Sequence, residues 1–346
     1  MKHLSYYIIS LFIASSLFLG SCRESKKPVQ EEINKVEKKA EINEFELLVD
    51  YLETHEDFIN SPYVPAMINT KEVFDNRNNK VFKIIDIRSE EDFQNGHIEN
   101  AMNIPAEQMI YYFENEFTPS DYESIAMVCY SGQAASYVTG VMRMLGYDNV
   151  FAMKFGMSSI SKHYADAFWN KNISNDYADK VEMTAHSKPI KGNHPSIKTG
   201  KTTGLDILKA RAQIALEIPY KSLLVKAPEL FKANSNRYIL NYWPTKMYDM
   251  GHIPGAIQYT PKKSLSTKTA LYTLPVNKEI VTYCFTGQHA AFVTAHLQVL
   301  GYNAKALAYG SNSFMNKEMK KRGKKWHPFS KKKIGHYKVV AEELAQ

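Results

Sequence analysis

The chain has 346 residues, which is more than one typical domain, so its length favours two domains. A hydrophobic fraction of 44% and an aromatic fraction of 12% allow each half to bury a core, which excludes a wholly disordered protein. The net charge of +7 is concentrated near the C-terminus without the aromatic pattern of nucleic-acid binding, so no nucleic-acid partner is expected.

The N-terminus carries an export signal. The basic start "MKH" precedes the apolar run "LSYYIISLFIASSLFLG", which is typical of a secretory signal and not of a mature transmembrane helix. The run ends in "LGSC", Leu19 to Cys22, which resembles the bacterial lipobox. We therefore expect a signal peptide over residues 1–21 and lipidation of Cys22, the alternative being an uncleaved membrane anchor. Arg23 after the lipidated Cys favours the outer membrane of the bacterial envelope, by resemblance to lipoprotein sorting.

The folded part is predicted to begin with a helix at "FELLVDYLETHEDFI", after a charged, solvated tether over residues 22–43. Short apolar runs then predict extended segments at "FKIIDI", "AMNIP", "SIAMVC" and "VFAMKFG". Between them, "SEEDFQNGHI" predicts a helical turn and a loop, and "AASYVTGVMRMLGY" predicts a helix that Gly146 caps. Apolar strands that alternate with helices predict an α/β domain, a parallel sheet with helices on both faces.

The same pattern occurs twice. "GHI", a cysteine and "LGY" recur in register, the second copy always 155 residues after the first: "GHI" at 96–98 and 251–253, Cys129 and Cys284, "LGY" at 145–147 and 300–302. Three landmarks in register over about sixty residues indicate duplicated domains. We place domain 1 at residues 44–180, a linker rich in Pro, Gly, Lys and Thr at 181–204, and domain 2, with a basic C-terminal tail, at 205–346.

Two of the three cysteines stand at the same point of the repeat. Cys129 and Cys284 each end an apolar run, and a small polar loop and a helix follow. Backbone N–H groups of such a loop, together with the helix N-terminus, can stabilise a thiolate, so each thiol is expected to lose its proton more easily. The alternatives are small buried cysteines in the core and a disulfide, and the separate motifs favour two functional thiols.

The ordered set "DIR…GHI…IP…VCYSGQAAS…LGY…FG" resembles the rhodanese family of sulfurtransferases, in tandem, over residues 60–175 and 215–320. The resemblance implies two duplicated rhodanese-like domains of the α/β class. It implies transfer of sulfane sulfur from a donor, thiosulfate or a persulfide, through a cysteine persulfide to a thiol or cyanide. It also implies that neither a cofactor nor a metal is needed.

The resemblance assigns roles to particular residues. Cys129 would carry the sulfur in the first domain, and Cys284 would be its second copy. The substrate-binding cradles would be formed by Tyr130, Ser131, Gly132, Gln133 and Ala134 and by Phe285, Thr286, Gly287, Gln288 and His289. Asp86 and Arg88 match an acidic and basic pair beside the loop, with a purely structural ion pair as the alternative. His97 and His252 are expected to be structural.

The sequence departs from the family at the last loop position, where many active members have a basic residue. Ala134 stands there in the first domain and His289, expected to be neutral, in the second. Thiosulfate is therefore expected to be a poor donor. The second domain also has Asn241 and Trp243 in place of the acidic and basic pair, so we rank the first domain as the more competent.

Other functions fit less well. A phosphatase would need an Arg where Ala135 and Ala290 stand. A non-catalytic binding or regulatory module tethered to the membrane is the main alternative, although it has no need of two retained cysteines. Thiol redox chemistry lacks a C-x-x-C motif, and no Cys and His cluster has metal-ligand spacing. The basic run Asn316 to Lys333 is expected to be solvated, with contact to anionic lipid as the alternative.

Overall fold

The computed structural model describes residues 42–232 and 236–341. Strands in this part of the chain form two sheets of five. The first sheet contains β1 (Met67–Ile68), β2 (Phe82–Asp86), β3 (Ala101–Asn103), β4 (Ser124–Val128) and β5 (Val150–Met153). The second contains β6 (Leu224–Val225), β7 (Arg237–Asn241), β8 (Ile257–Gln258), β9 (Glu279–Tyr283) and β10 (Ala304–Leu307).

Both sheets have the same strand order and are parallel throughout. The order is β1-β5-β4-β2-β3 in the first sheet and β6-β10-β9-β7-β8 in the second. The cysteines follow the central strands β4 and β9. Their carboxyl ends are in register with the neighbouring strands, because Asp86 pairs with Val128 and Asn241 with Tyr283. The α/β class and the duplication predicted from the repeat are confirmed.

Helices cover both faces of the sheets. In the described residues they are α1 (Glu44–Thr54), α2 (Thr70–Asn76), α3 (Glu90–Gln94), α4 (Met109–Asn115), α5 (Gln133–Met144), α6 (Lys162–Ala167), α7 (Trp169–Asn172), α8 (Gly204–Glu217), α9 (Ala227–Leu230), α10 (Thr245–Tyr248), α11 (Gln288–Val299) and α12 (Asn312–Arg322). The helices predicted at the start of the fold, after Cys129 and after the linker are α1, α5 and α8. Gly146 follows α5 in the left-handed region, with a φ of +94°, as expected for a C-terminal cap.

The two halves pack through equivalent helices, α5 and α11, each of which follows a cysteine loop. Gly140 lies at the crossing. A Cβ atom on Gly140 would be 3.2 Å from the Cβ of Ala295 and 3.2 Å from the ring of Phe292. The absent side chain therefore allows the two helices to approach closely, and this brings the two cysteine loops to the same side of the molecule.

Each half also contributes a largely irregular segment to the other. We call residues 174–186 the first arm and residues 327–340 the second arm. The first arm bonds to domain 2, where the Tyr177 N–H donates to the Phe314 carbonyl at 3.2 Å. The second arm bonds to domain 1, where the Tyr337 N–H donates to the Ile160 carbonyl at 3.1 Å. Each arm ends in an antiparallel bridge to a "GHI" histidine, Glu182 to His252 and Val340 to His97.

The lysines of the basic run Asn316 to Lys333 are exposed, as expected, and the second arm, which overlaps the end of this run, is bound to domain 1. Tyr337 stacks on Phe74 at 4.2 Å, and the Gly335 N–H donates to the Ser159 carbonyl at 2.8 Å. The second arm is held against domain 1 because its apolar residues and main chain are bound there, while its lysines face outwards or into a cavity.

The predicted signal peptide, Cys22 and all but the last two residues of the tether lie outside the described residues. Within residues 42–232 and 236–341, no helix has the length and apolar content needed to cross a membrane.

Candidate active site

The first loop forms the cradle that the sequence predicts around Cys129. The residue directly follows β4, and α5 begins four positions later at Gln133. Its Sγ atom accepts hydrogen bonds from the N–H groups of Gly132 and Ala135, each at 3.2 Å. Gly132 makes the turn with a φ of +84°, which a residue with a Cβ rarely adopts. The thiol group is held inside the loop, and only 2% of the residue is exposed.

The second loop repeats the cradle around Cys284. Its Sγ atom accepts a hydrogen bond from the Ala290 N–H at 3.2 Å, and Gly287 turns the chain with a φ of +76°. This residue is also 2% exposed. Both cysteines are free thiols.

The expectation of readily ionised thiols is wrong for both residues as they stand. Burial raises the pKa of Cys129 and of Cys284, and it outweighs the loop N–H groups, which act in the opposite direction. Asp86 further raises the pKa of Cys129, whereas the causes that act on Cys284 after burial are the lowering effects of four backbone groups. Asp86 therefore disfavours the thiolate form of Cys129.

A basic cavity lies over the second loop. It has a volume of about 640 Å³, and its lining includes Cys284 and does not include Cys129. Among residues 42–232 and 236–341, no Asp or Glu lines it and five lysines do: Lys71, Lys154, Lys262, Lys332 and Lys333. Burial and then Lys333 lower the pKa of Lys154, as expected where cations are crowded. Sequence reasoning missed this feature because the lysines come from four separate segments. The "KKK" run was the visible signal.

His289 is a neutral group in the same cavity. Burial lowers its pKa to about 3, and the nearby Lys262 and His327 act in the same direction. Its Nε2 atom is buried and has no hydrogen-bond partner in the described residues. The expectation of a neutral histidine at this loop position is confirmed.

The loop glutamines reach across to the opposite domain. The Gln133 Oε1 atom accepts from the Tyr309 N–H at 2.7 Å, and the Gln288 Oε1 atom accepts from the Phe155 N–H at 2.8 Å. Tyr309 and Phe155 both have positive φ values, +60° and +62°, and begin turns that close on the cysteine carbonyls. In the second turn, the Ser311 N–H donates to the Cys284 carbonyl at 3.0 Å.

These contacts make the two loops adjacent, a point that the sequence left open. A Cβ on Gly132 would be 2.5 Å from the Gln288 Oε1 atom, and a Cβ on Gly287 would collide with the Gln133 amide. Glycine is thus needed at both positions for two reasons: a Cβ atom would clash with the glutamine of the other domain, and the positive φ disfavours any other residue.

A comparison with family models identifies the fold. The rhodanese-like domain model matches twice, over residues 69–163 and 228–317. The chain belongs to the rhodanese-like domain family. Both matched ranges contain a cysteine loop of the kind described above.

Several solved structures are similar to part of the chain. A rhodanese-related protein from Thermoplasma volcanium is 19% identical, covering 29% of this chain and 91% of its own, with a TM-score of 0.24. A human single-domain sulfurtransferase is 20% identical, covering 25% and 88%, with a TM-score of 0.22. An NAD-dependent persulfide reductase from A. fulgidus is 25% identical, covering 26% and 15%, with a TM-score of 0.21. No curated protein matches the chain.

The first rhodanese-like loop is enclosed by polar and aromatic contacts. The Tyr130 hydroxyl donates to Asp92 at 2.6 Å, and the Gln133 Nε2 group donates to Ser131 at 3.1 Å. The indole N–H of Trp169 donates to the Ser131 carbonyl at 3.0 Å. Trp169 is fully buried beneath a stacked Phe329 from the second arm, at 4.6 Å. The loop is therefore packed beneath the arm. Ala134, at its end, adds no charge.

Asp86 and Arg88 form a fully buried ion pair. The Arg88 Nη2 group donates to Asp86 at 2.7 Å and to the Gly96 carbonyl at 2.7 Å. Its guanidinium carbon lies 5.8 Å from the centroid of the Tyr130 ring. Neither residue lines the basic cavity. The pair ties the end of β2 to the "GHI" turn.

The second domain replaces this pair with an aromatic stack. The Trp243 N–H donates to the Asn241 side chain at 3.2 Å, as the Arg88 N–H does to Asp86 at 3.0 Å. The Trp243 ring stacks on Phe285 at 4.9 Å. Phe285 and Thr286 line the basic cavity beside Cys284. The change that seemed to weaken the second domain thus preserves the local geometry with different chemistry.

The spacing of Cys and His in the sequence predicts no metal site, and the fold brings three other potential ligands together. Glu182, His186 and His252 place one ligand atom each within 4.8 Å of the others. The cluster is invisible in sequence spacing because the first arm brings Glu182 and His186 to a histidine about seventy residues later.

Proposed function

We propose that this protein is a sulfurtransferase, with Cys284 as the residue that carries the sulfur. One observation supports this most: Cys284 lines a cavity whose described residues include five lysines and no carboxylate. Sulfur donors such as thiosulfate and persulfides are anions, and lysines attract them. The charge that the second loop lacks at His289 would be supplied by lysines from other segments of the chain.

In the proposed reaction, the Cys284 sulfur attacks the outer sulfur of the donor. A new S–S bond forms, the donor's own bond to that sulfur breaks, and the electron pair leaves with the sulfite or thiolate product. The thiol proton leaves on that product. An acceptor thiolate then attacks the outer sulfur of the persulfide, which returns Cys284 to its starting form. No external oxidant is needed, because the donor supplies sulfur at the persulfide level.

The buried amide groups give this reaction its electrostatic support. The N–H groups around Sγ are fixed by the loop, so they can stabilise the persulfide anion without rearrangement. The raised pKa of Cys284 means that the free protein holds a thiol at neutral pH. The proposal therefore includes deprotonation on donor binding as part of the first step. Cys129, which does not line the cavity, is proposed as a second site.

The test is a mass spectrum of residues 23–346, reduced and then incubated with thiosulfate or with a low-molecular-weight persulfide. We expect one added sulfur atom on Cys284, and we expect it to be lost in Cys284→Ser and kept in Cys129→Ser. Lys333→Met should slow the modification, whereas Lys171→Met, an exposed lysine outside the cavity lining, should not. Sulfur on Cys129 alone would reverse the assignment.

A second candidate function is a non-catalytic binding module. The observation in its favour is that both thiols are buried and have raised pKa values. Absence of an adduct on either cysteine with every donor, from protein that unfolds cooperatively, would favour it over sulfur transfer.

We also propose that Cys22 is lipidated and anchors the protein in the bacterial envelope, on the basis of the "LGSC" sequence. Cys22→Ser should move the protein from the membrane fraction to the soluble fraction. If its distribution does not change, the lipobox assignment is wrong.

A further inference from the structure

A cluster of two histidines and a glutamate joins the first arm to domain 2, and none of its three residues lines the basic cavity. Glu182 and His252 exchange main-chain hydrogen bonds of 2.9 Å in each direction. Beside this bridge, the side chains of His186 and His252 both approach the carboxylate of Glu182. The Glu182 Oε1 atom lies 2.6 Å from the His186 Nε2 atom and 3.5 Å from the His252 Nε2 atom.

The surroundings of His252 indicate what the cluster requires. The residue is fully buried. Its Nδ1 atom lies 2.9 Å from the Tyr248 carbonyl oxygen, and its Nε2 atom lies 3.2 Å from the Thr184 carbonyl oxygen. A neutral imidazole has only one N–H group, so one of its ring nitrogens would direct a lone pair at an oxygen. A second proton or a metal ion at that nitrogen removes the conflict.

The repeat shows which nitrogen carries the proton. In domain 1 the Nδ1 atom of His97 makes the same contact, 2.8 Å from the Phe93 carbonyl oxygen. The Nδ1–H bond therefore belongs to the "GHI" motif in both copies. In the second copy this leaves the Nε2 atom without a proton, 3.2 Å from the Thr184 carbonyl oxygen and 3.5 Å from the Glu182 Oε1 atom. A histidine whose other nitrogen donates to a backbone carbonyl is the usual arrangement of a metal ligand.

We propose that Glu182, His186 and His252 bind a Zn²⁺ ion. Two imidazole Nε2 atoms and one carboxylate oxygen are a common zinc ligand set, with the remaining position left to water. The carboxylate offsets part of the ion's charge. The Glu182 and His186 side chains are 28% and 37% exposed, so an ion can enter from solvent. The ion would fasten the first arm to domain 2, which is independent of the proposed sulfur chemistry.

The competing explanation is a doubly protonated His252 paired with Glu182. The two differ in their response to metal. Isothermal titration of residues 23–346 with Zn²⁺ distinguishes them, with both Cys129 and Cys284 replaced by Ser so that the thiols contribute nothing. We expect one ion per chain and a rise in the unfolding temperature when zinc is present.

Glu182→Gln and His186→Ala are expected to weaken zinc binding by more than about tenfold, since each removes a ligand. Both residues are partly exposed, and the Gln side chain can still accept the Gly255 N–H bond, so folding should be retained. His163→Ala, an exposed histidine in domain 1, is the matched control and should change nothing. Absence of zinc binding, or affinity unchanged in both variants, would overturn the proposal and leave the ion pair as the explanation.

Discussion

Gln133→Met tests whether the bond across the two domains stabilises the fold. Methionine keeps the length of the side chain and removes its acceptor, so the Tyr309 N–H loses its partner. A backbone donor left unsatisfied away from water costs about 1–3 kcal/mol. We therefore expect a loss of about 2 kcal/mol in the free energy of unfolding. The mirror variant, Gln288→Met, should behave similarly because it deprives the Phe155 N–H of its acceptor.

The measurement is urea unfolding of residues 23–346, in which the midpoint should fall while the slope stays unchanged. Gln94→Met is the matched control, because its bond to Glu90 is at the surface and its loss should change stability by less than about 0.5 kcal/mol. Tyr309 begins the turn that holds the Cys284 carbonyl, so Gln133→Met should also alter the alkylation rate of Cys284. Equal midpoints for Gln133→Met and Gln94→Met would refute the reasoning.

Three further predictions concern buried residues. Arg88→Ala should lower the free energy of unfolding in urea by about 3–5 kcal/mol, because it leaves Asp86 buried and unpaired. The control Arg77→Ala, in an exposed ion pair, should lower it by less than about 1 kcal/mol. Equal losses in the two variants would contradict this reasoning. Gly140→Val should cost about 1–3 kcal/mol by forcing α5 away from α11, and an unchanged thermal midpoint would argue against close packing there. Burial lowers the pKa of His296 to about 4. Neutral His296 therefore contributes fully to the stability of the fold above about pH 6.5, the pKa of an unfolded histidine, and this contribution is lost as the pH falls towards 4. His296→Leu should therefore remove about 2 kcal/mol of the destabilisation that the wild type shows between pH 7 and pH 5, and identical pH profiles would exclude this role.

The parts of the fold that depend on local pattern could be predicted from the sequence. The apolar runs "FKIIDI" and "SIAMVC" are β2 and β4, and the helical spacing after Cys129 is α5. Because the sequence pattern repeats, it also predicted a second sheet of the same kind, and the two sheets have the same strand order. These features follow from hydrophobic periodicity, which the chain carries within each segment.

The features that depend on contacts between distant segments could not be predicted. From its neighbours in the sequence, each lysine of the basic cavity would be expected to be solvated. The position of the second arm brings Lys333 near Lys154. The glutamines at 133 and 288 looked like members of their own cradles, whereas their oxygens serve the opposite domain. The thiol pKa was expected to fall because sequence shows the loop amides and not the depth of burial.

The exchanged arms bear on how a chain of this kind could have arisen. Each half is completed by a segment of the other, which is the arrangement found in domain-swapped dimers of identical subunits. Fusion of two such subunits through residues 187–203 would turn a concentration-dependent association into an intramolecular one. The role of the covalent linker would then be only to keep each half at a high effective concentration near the other. A chain cleaved there by a protease should remain a single particle on gel filtration, with two fragments that separate only on unfolding.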